Sequence, residues 1–176
     1  MNQTTVIHDD PFTTLNAFLW RIFEANPFLQ EYVKAGNRIK FENTLGFKDQ
    51  VVHGDLPEII LVPNGNNQET MGDSATRDLT QNYRFYVSTD DKRPWLMNRI
   101  KWELFRCLEV FNMNAVKCHF NGKPFILLVQ TSSSAEGLTE GLSNRGITGW
   151  CSTWDFSVRM QFPKEDMIFD IGEQIT

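Results

Sequence analysis

The stretch Gly149–Phe162, GWCSTWDFSVRMQF, decides the fold. From Trp154 onward it alternates strictly: Trp154, Phe156, Val158, Met160 and Phe162 share one parity, and Asp155, Ser157, Arg159 and Gln161 share the other. A period of two is the mark of a β-strand with one face buried and one face wet. An apolar face of that size, headed by tryptophan, needs an equally large apolar cover.

Two segments supply it. Phe12, Leu15, Phe18, Leu19, Ile22 and Phe23 recur at helical spacing behind Asp9, Asp10 and Pro11, an acidic cap followed by proline at the first helical position. Pro27 disfavours helical geometry in the residue before it, so this helix is expected to end near Asn26. The second begins at Pro94, after Asp90–Arg93. Leu96, Ile100, Leu104, Cys107, Leu108 and Phe111 form its inner face, with Trp95 and Phe105 extending it. The acidic pairs Asp9–Asp10 and Asp90–Asp91 both read as helix caps, because carboxylates complement a helix N-terminus.

The remaining strands are read from shorter signals. Arg38–Asn43 alternates weakly, Ile59–Val62 is an apolar run bounded by prolines, Tyr83, Phe85 and Val87 alternate with polar residues, and Pro124–Thr131 is strongly apolar. Between them Asn64–Asp78 and Ser132–Gly149 are polar and weakly patterned, and are expected to be extended loops, either flexible at the surface or ordered against neighbouring molecules. Strands joined by loops rather than alternating with helices define an α+β fold, a mainly antiparallel sheet with two amphipathic helices packed on one face. The chain is expected to form a single domain over residues 1–176, with a short mobile N-terminus, 1–9, and a C-terminal tail, 164–176.

Composition narrows the function classes. A net charge of −5 argues against a general nucleic-acid binder, which carries a basic patch, yet suits a channel that nucleic acid traverses without being gripped. Cys107, Cys118 and Cys151 are odd in number and widely spaced, a pattern of reduced, buried thiols rather than disulfides or a zinc site. The N-terminus lacks the basic and apolar regions of a signal peptide, and no apolar run approaches the ~20 residues of a membrane helix; a product made in the cytoplasm and not held in a membrane is expected.

Catalytic equipment is sparse. His8, His53 and His119 all fall in expected loops or termini, and Cys118 next to His119 points to the opposite side of an extended segment. No phosphate-binding loop, dinucleotide fingerprint, nucleophile elbow or zinc-protease motif is present, so no catalytic residue, metal or cofactor is assigned. A small enzyme built on Cys118 and His119 is the minor alternative.

The order of these segments resembles the tail-terminator, or tail-completion, proteins of tailed bacteriophages and their neck-protein relatives. The amphipathic helix Phe12–Phe23 comes first, followed by LPEIILVPNGN, TRDLTQNYRFYVSTDD, LMNRIKWELFRCLEVF and finally GWCSTWDFSVRMQF. The resemblance spans roughly Asp10 to Phe162, and the Asn112–Lys123 connection and the acidic tail depart from it. It implies a structural virion protein made in the host cytoplasm and placed at the neck, where a homo-oligomeric ring, a hexamer in the family, caps the tail tube and joins it to the head while DNA passes through. Tail-tube and head-connector proteins are the implied partners. A head-closure, other connector or baseplate protein is the nearest alternative. The expected interface positions are Asn64, Asn66, Asn67 and Arg77 in the first polar segment, and Arg145 and Trp150 around the second.

Overall fold

In the computed structural model, residues 10–38, 40–41, 56–69, 75–90, 93–137 and 149–163 are described. The first helix, α1 (Pro11–Glu24), begins as its sequence dictates. The Asp10 carboxylate accepts a hydrogen bond from the Thr13 N–H at 2.7 Å, and Leu15, Leu19 and Phe23 are buried one turn apart. The helix closes at Glu24, and the chain does not then leave helical structure for long. Asn26 Oδ1 accepts from the Leu29 N–H at 3.0 Å and opens a second short helix, α2 (Pro27–Tyr32). Pro27, expected as a stop, occupies the first helical position instead, where its missing N–H costs nothing.

The long helix α3 (Pro94–Met113) confirms the second amphipathic segment, with a correction at its start. No side chain caps it. Asp90, expected as a cap, ends a strand and pairs with the Arg93 guanidinium at 2.7 Å. Asp9 and Asp91 lie outside the described residues.

Among the described residues the main sheet has five strands in the order β1-β2-β3-β7-β6. These are β1 (Lys40–Phe41), β2 (Glu58–Glu69), β3 (Thr76–Asp90), β6 (Ile126–Gly137) and β7 (Gly149–Pro163), with a separate two-stranded hairpin of β4 (His119–Phe120) and β5 (Lys123–Pro124). The weak alternation at Arg38–Asn43 marks β1, which runs parallel to β2; every other neighbour in the sheet is antiparallel. β3 and β7 pair without a register shift from Thr76–Pro163 to Asp90–Gly149. The β4–β5 turn is Asn121–Gly122, both at positive φ (50° and 75°), the backbone that tight hairpins require and that Asn and Gly tolerate best.

Where they are described, the two polar segments are mostly strand. The Asn64–Asp78 segment was expected to be a loop, yet β2 continues to Glu69 and β3 starts at Thr76, with Asn66 opposite Gln81 and Glu69 opposite Asp78. The register shifts between Pro63 and Asn66, a bulge at the one residue that has no N–H to give the ladder. β6 likewise runs on through Ser134, paired with Trp154, to Gly137, paired with Cys151. Backbone hydrogen bonds rather than apolar side chains hold these extensions. Residues 138–148 lie outside the described residues, as do 1–9 and 164–176.

The larger hydrophobic core lies between the helices and one face of the sheet, a small cluster of Ile60 and Val62 with Tyr86 lies on the other, and the alternation in β7 is borne out residue by residue. Trp154, Phe156, Val158, Met160 and Phe162 are all buried in it with Tyr83, Phe85 and Val87 of β3 and the inner residues of α1, α2 and α3. Phe85 is central: its ring lies 4.8 Å from Trp154, 5.0 Å from Phe156 and 5.3 Å from Phe23. The buried Tyr83 hydroxyl donates to Asn16 Oδ1 at 2.6 Å, which satisfies the phenol while burial pushes its pKa above the ordinary value. On the other face, ion pairs cross from strand to strand. Arg84 grips Asp155 through two nitrogens at 2.6 and 2.8 Å, and the buried Asp78 accepts from Arg159 and from Gln161 Nε2 at 2.9 Å.

Candidate functional site

Tryptophan is the residue whose placement is most unusual here. Of five in the chain, Trp154 alone is buried; Trp20, Trp95, Trp102 and Trp150 are each 40–57% exposed. Leaving indole rings in water forgoes a large burial term, so several on one molecule point to surfaces meant for contact.

Helix α3 shows how the sequence builds such a surface. Its inner side, Leu96, Ile100, Leu104, Cys107, Leu108 and Phe111, packs against the sheet and α1 as its periodicity predicts. Trp95 was read as an extension of that side. At position 95 the helix turns it outward, where it is 53% exposed and meets Tyr32 of α2 edge-on at 5.9 Å. Phe105 sits at the boundary, half-buried and stacked on Trp154 at 4.5 Å. The outer side carries a second apolar row: Trp102, Val110 and Met113, the last 78% exposed.

Two grooves flank this row. One, of about 300 Å³, lies between the end of α1 and α3 and is lined by residues including Arg21, Ile22, Asn26, Arg106 and Val110. The other, of about 510 Å³, is lined by Trp102, Phe105, Arg106, Glu109, Val110 and Met113. Arg106 and Val110 form the ridge shared by both.

The ridge is anchored from beneath. Glu103, 1% exposed on α3, accepts from Arg99 at 2.9 Å, from Arg106 at 3.0 Å and from Asn26 Nδ2 at 3.0 Å. Asn26 therefore caps α2 with its oxygen and ties it to α3 with its nitrogen, and one buried carboxylate orients two arginines whose outer parts remain in water.

The interface positions expected from sequence do not form one patch. Asn66 and Asn67 stand opposite Gln81 and Thr80 in the β2–β3 hairpin, Asn64 lies in the bulge, and Arg77 is nearby on β3, half-buried with one nitrogen 3.2 Å from the Thr76 carbonyl. Trp150 is at the opposite end of the sheet, paired with Thr89, about 40 Å from Arg77 along the strands. Arg145 lies outside the described residues. The outer row of α3 was missed. Its signal was present as Trp102, Arg106, Glu109, Val110 and Met113 at helical spacing, but a one-sided reading of α3 ends with the inner stripe.

The possible nucleophile and base are separated in environment: Cys118 is buried and His119 is exposed, with its Nδ1 3.0 Å from the Lys117 carbonyl. Burial pushes the Cys118 thiol up to about 11, so it is protonated at neutral pH, and Cys107 is raised to the same level by the same cause. All three cysteines are free and buried. Among the described residues no three His, Cys, Asp or Glu side chains come together as metal ligands, and no helix is long and apolar enough to cross a membrane.

No family model matches the chain, and no curated protein is similar to it in sequence. Its fold is shared with a chain from the virion of a native gene transfer agent particle, with a TM-score of 0.58 and 12% identity over 90% of this chain and 100% of the other. At that identity the likeness is one of fold.

Proposed function

We propose that this chain is a structural protein of a phage-like virion, a tail terminator that closes into a homo-oligomeric ring at the neck, caps the tail tube and joins it to the head. The observation that carries this reading is the fold shared with a chain of a gene transfer agent virion along that chain's whole length. The segment order that resembles tail terminators supports the same reading from the sequence.

The architecture suits such a role. A head-to-tail ring needs two different contact surfaces on each copy, facing opposite neighbours. The β2–β3 hairpin, with Asn64, Asn66, Asn67 and Arg77, reaches one end of the sheet; Trp150 begins β7 at the other, next to the connection that contains Arg145. These are the contacts proposed between ring neighbours and with tail-tube and connector proteins. The net charge of −5 suits a lumen through which DNA slides.

Negative-stain imaging of the purified chain, alone and mixed with tail-tube protein from the same particle, tests the reading. Closed rings of uniform diameter, free or seated on tube ends, are the expected result. A chain that forms no ring in either sample and leaves tube length unchanged overturns it.

A further inference from the structure

The groove on the outer side of α3 has an internal symmetry. Trp102 and Met113 lie equally far on either side of the midpoint between Cys107 and Leu108; so do Phe105 and Val110, and so do Arg106 and Glu109. Among the described residues these six line the groove. When two copies of one helix pack antiparallel about a two-fold axis, seam residues equidistant from the axis meet each other, while flanking residues lie beside their own counterparts. An axis at that midpoint sets Trp102 against the second copy's Met113 and Arg106 against its Glu109, each contact occurring twice, with Phe105 and Val110 flanking the seam on opposite sides.

The pairs are complementary in chemistry as well as position. Indole with thioether is a favourable apolar contact, and guanidinium with carboxylate is the favourable charge pair. The opposite arrangement, with the helices parallel and in register, would set Arg106 on Arg106 and Glu109 on Glu109. Glu103 holds Arg106 through one terminal nitrogen, and a guanidinium has further N–H groups to offer a second carboxylate.

We propose that a second copy of this chain docks here, forming a two-fold dimer through antiparallel α3 helices. The contact is isologous, so it does not close a cyclic ring; on a ring protein it would join two rings back to back or hold free chains in pairs before assembly. It stands independently of the neck reading.

Sedimentation of the full chain measures it, with a species of twice the 20.4 kDa chain mass expected. Val110→Glu, at a half-exposed position that leaves the core intact, should raise the dissociation constant about 100-fold, and Glu109→Arg, which sets guanidinium against guanidinium, about tenfold. Oxidising a mixture of Trp102→Cys and Met113→Cys chains should yield the mixed disulfide, with far less product from either variant alone, since the native thiols are buried. A wild-type chain that stays monomeric at high micromolar concentration overturns the dimer. So does a ring or dimer that Val110→Glu leaves unchanged, and in the case of a ring the neck reading survives. Like-with-like disulfides in place of the mixed one also overturn the antiparallel register.

Discussion

The two sides of α3 are both apolar and do opposite things. On the inner side every residue from Leu96 to Phe111 at core spacing is buried, over a sheet face whose aromatic rings meet within about 5 Å, as Phe156 does with Tyr83 and with Phe85. On the outer side Trp102, Val110 and Met113 are at least half exposed or nearly so, and only a row of charged neighbours interrupts them. Hydrophobicity alone does not separate these roles. What separates them is whether an opposing surface is supplied: the sheet supplies it on one side, and among the described residues none covers the other.

The sharpest break in that comparison comes from the inner side. Phe156→Ala removes a ring stacked on both Tyr83 and Phe85 and should cost about 3–5 kcal/mol by equilibrium urea unfolding. A cost below about 1 kcal/mol would mean that the sheet's inner face is not the core. Next is the residue between the sides. Glu103→Ala leaves the Asn26 amide with only the weaker Cys107 sulfur as acceptor and frees two arginines, and should cost about 1–3 kcal/mol. The arginines are half in water and stay hydrated, which keeps the loss below that of a buried ion pair. The same variant should also weaken association, because Arg106 loses its anchor.

A pH titration is gentler. Burial raises the Cys107 thiol from 9.0 to about 11, chiefly by desolvation, so the folded state favours the protonated form. A group raised in this way stabilises fully below its unfolded pKa and loses that contribution as pH climbs through the folded value. Tm should therefore fall between pH 9 and pH 11, with Cys118 adding to the effect, and a Cys107→Ala chain should fall less steeply. The smallest effect belongs to the outer side. Trp102→Ala should change the unfolding free energy of the dissociated chain by no more than about 0.5 kcal/mol while weakening self-association. A loss of several kcal/mol would show that this tryptophan is core after all.

Much of the fold was legible because it rests on periodicity. The β7 alternation, the inner stripes of α1 and α3 and the strand at Ile59–Val62 are written in apolar spacing, and the structure follows them. What escaped was held by other forces. The outer half of the β2–β3 hairpin is polar and is carried by backbone pairing, which leaves little trace in side-chain chemistry. Helix α2 was lost because Pro27 is both a plausible end of one helix and a good start for the next; the deciding bond is Asn26 to the Leu29 N–H. Trp95 reads as core because sequence gives helical phase without saying how wide the covering surface is. The expected interface residues, by contrast, were chosen by type within supposed loops, and the strands distribute them to opposite ends of the sheet.

The unbroken pairing of β3 with β7 also has a mechanical meaning. Fifteen residue pairs run side by side with no slip in register, and the two strands are the middle of the sheet. Tension applied along the strands at its two ends, as it would be if neighbours pulled on the hairpins, loads all the cross-strand hydrogen bonds at once in shear. Tension applied across the sheet would open them one after another. This ladder therefore gives the chain one stiff direction: high resistance along the strands and low resistance across them.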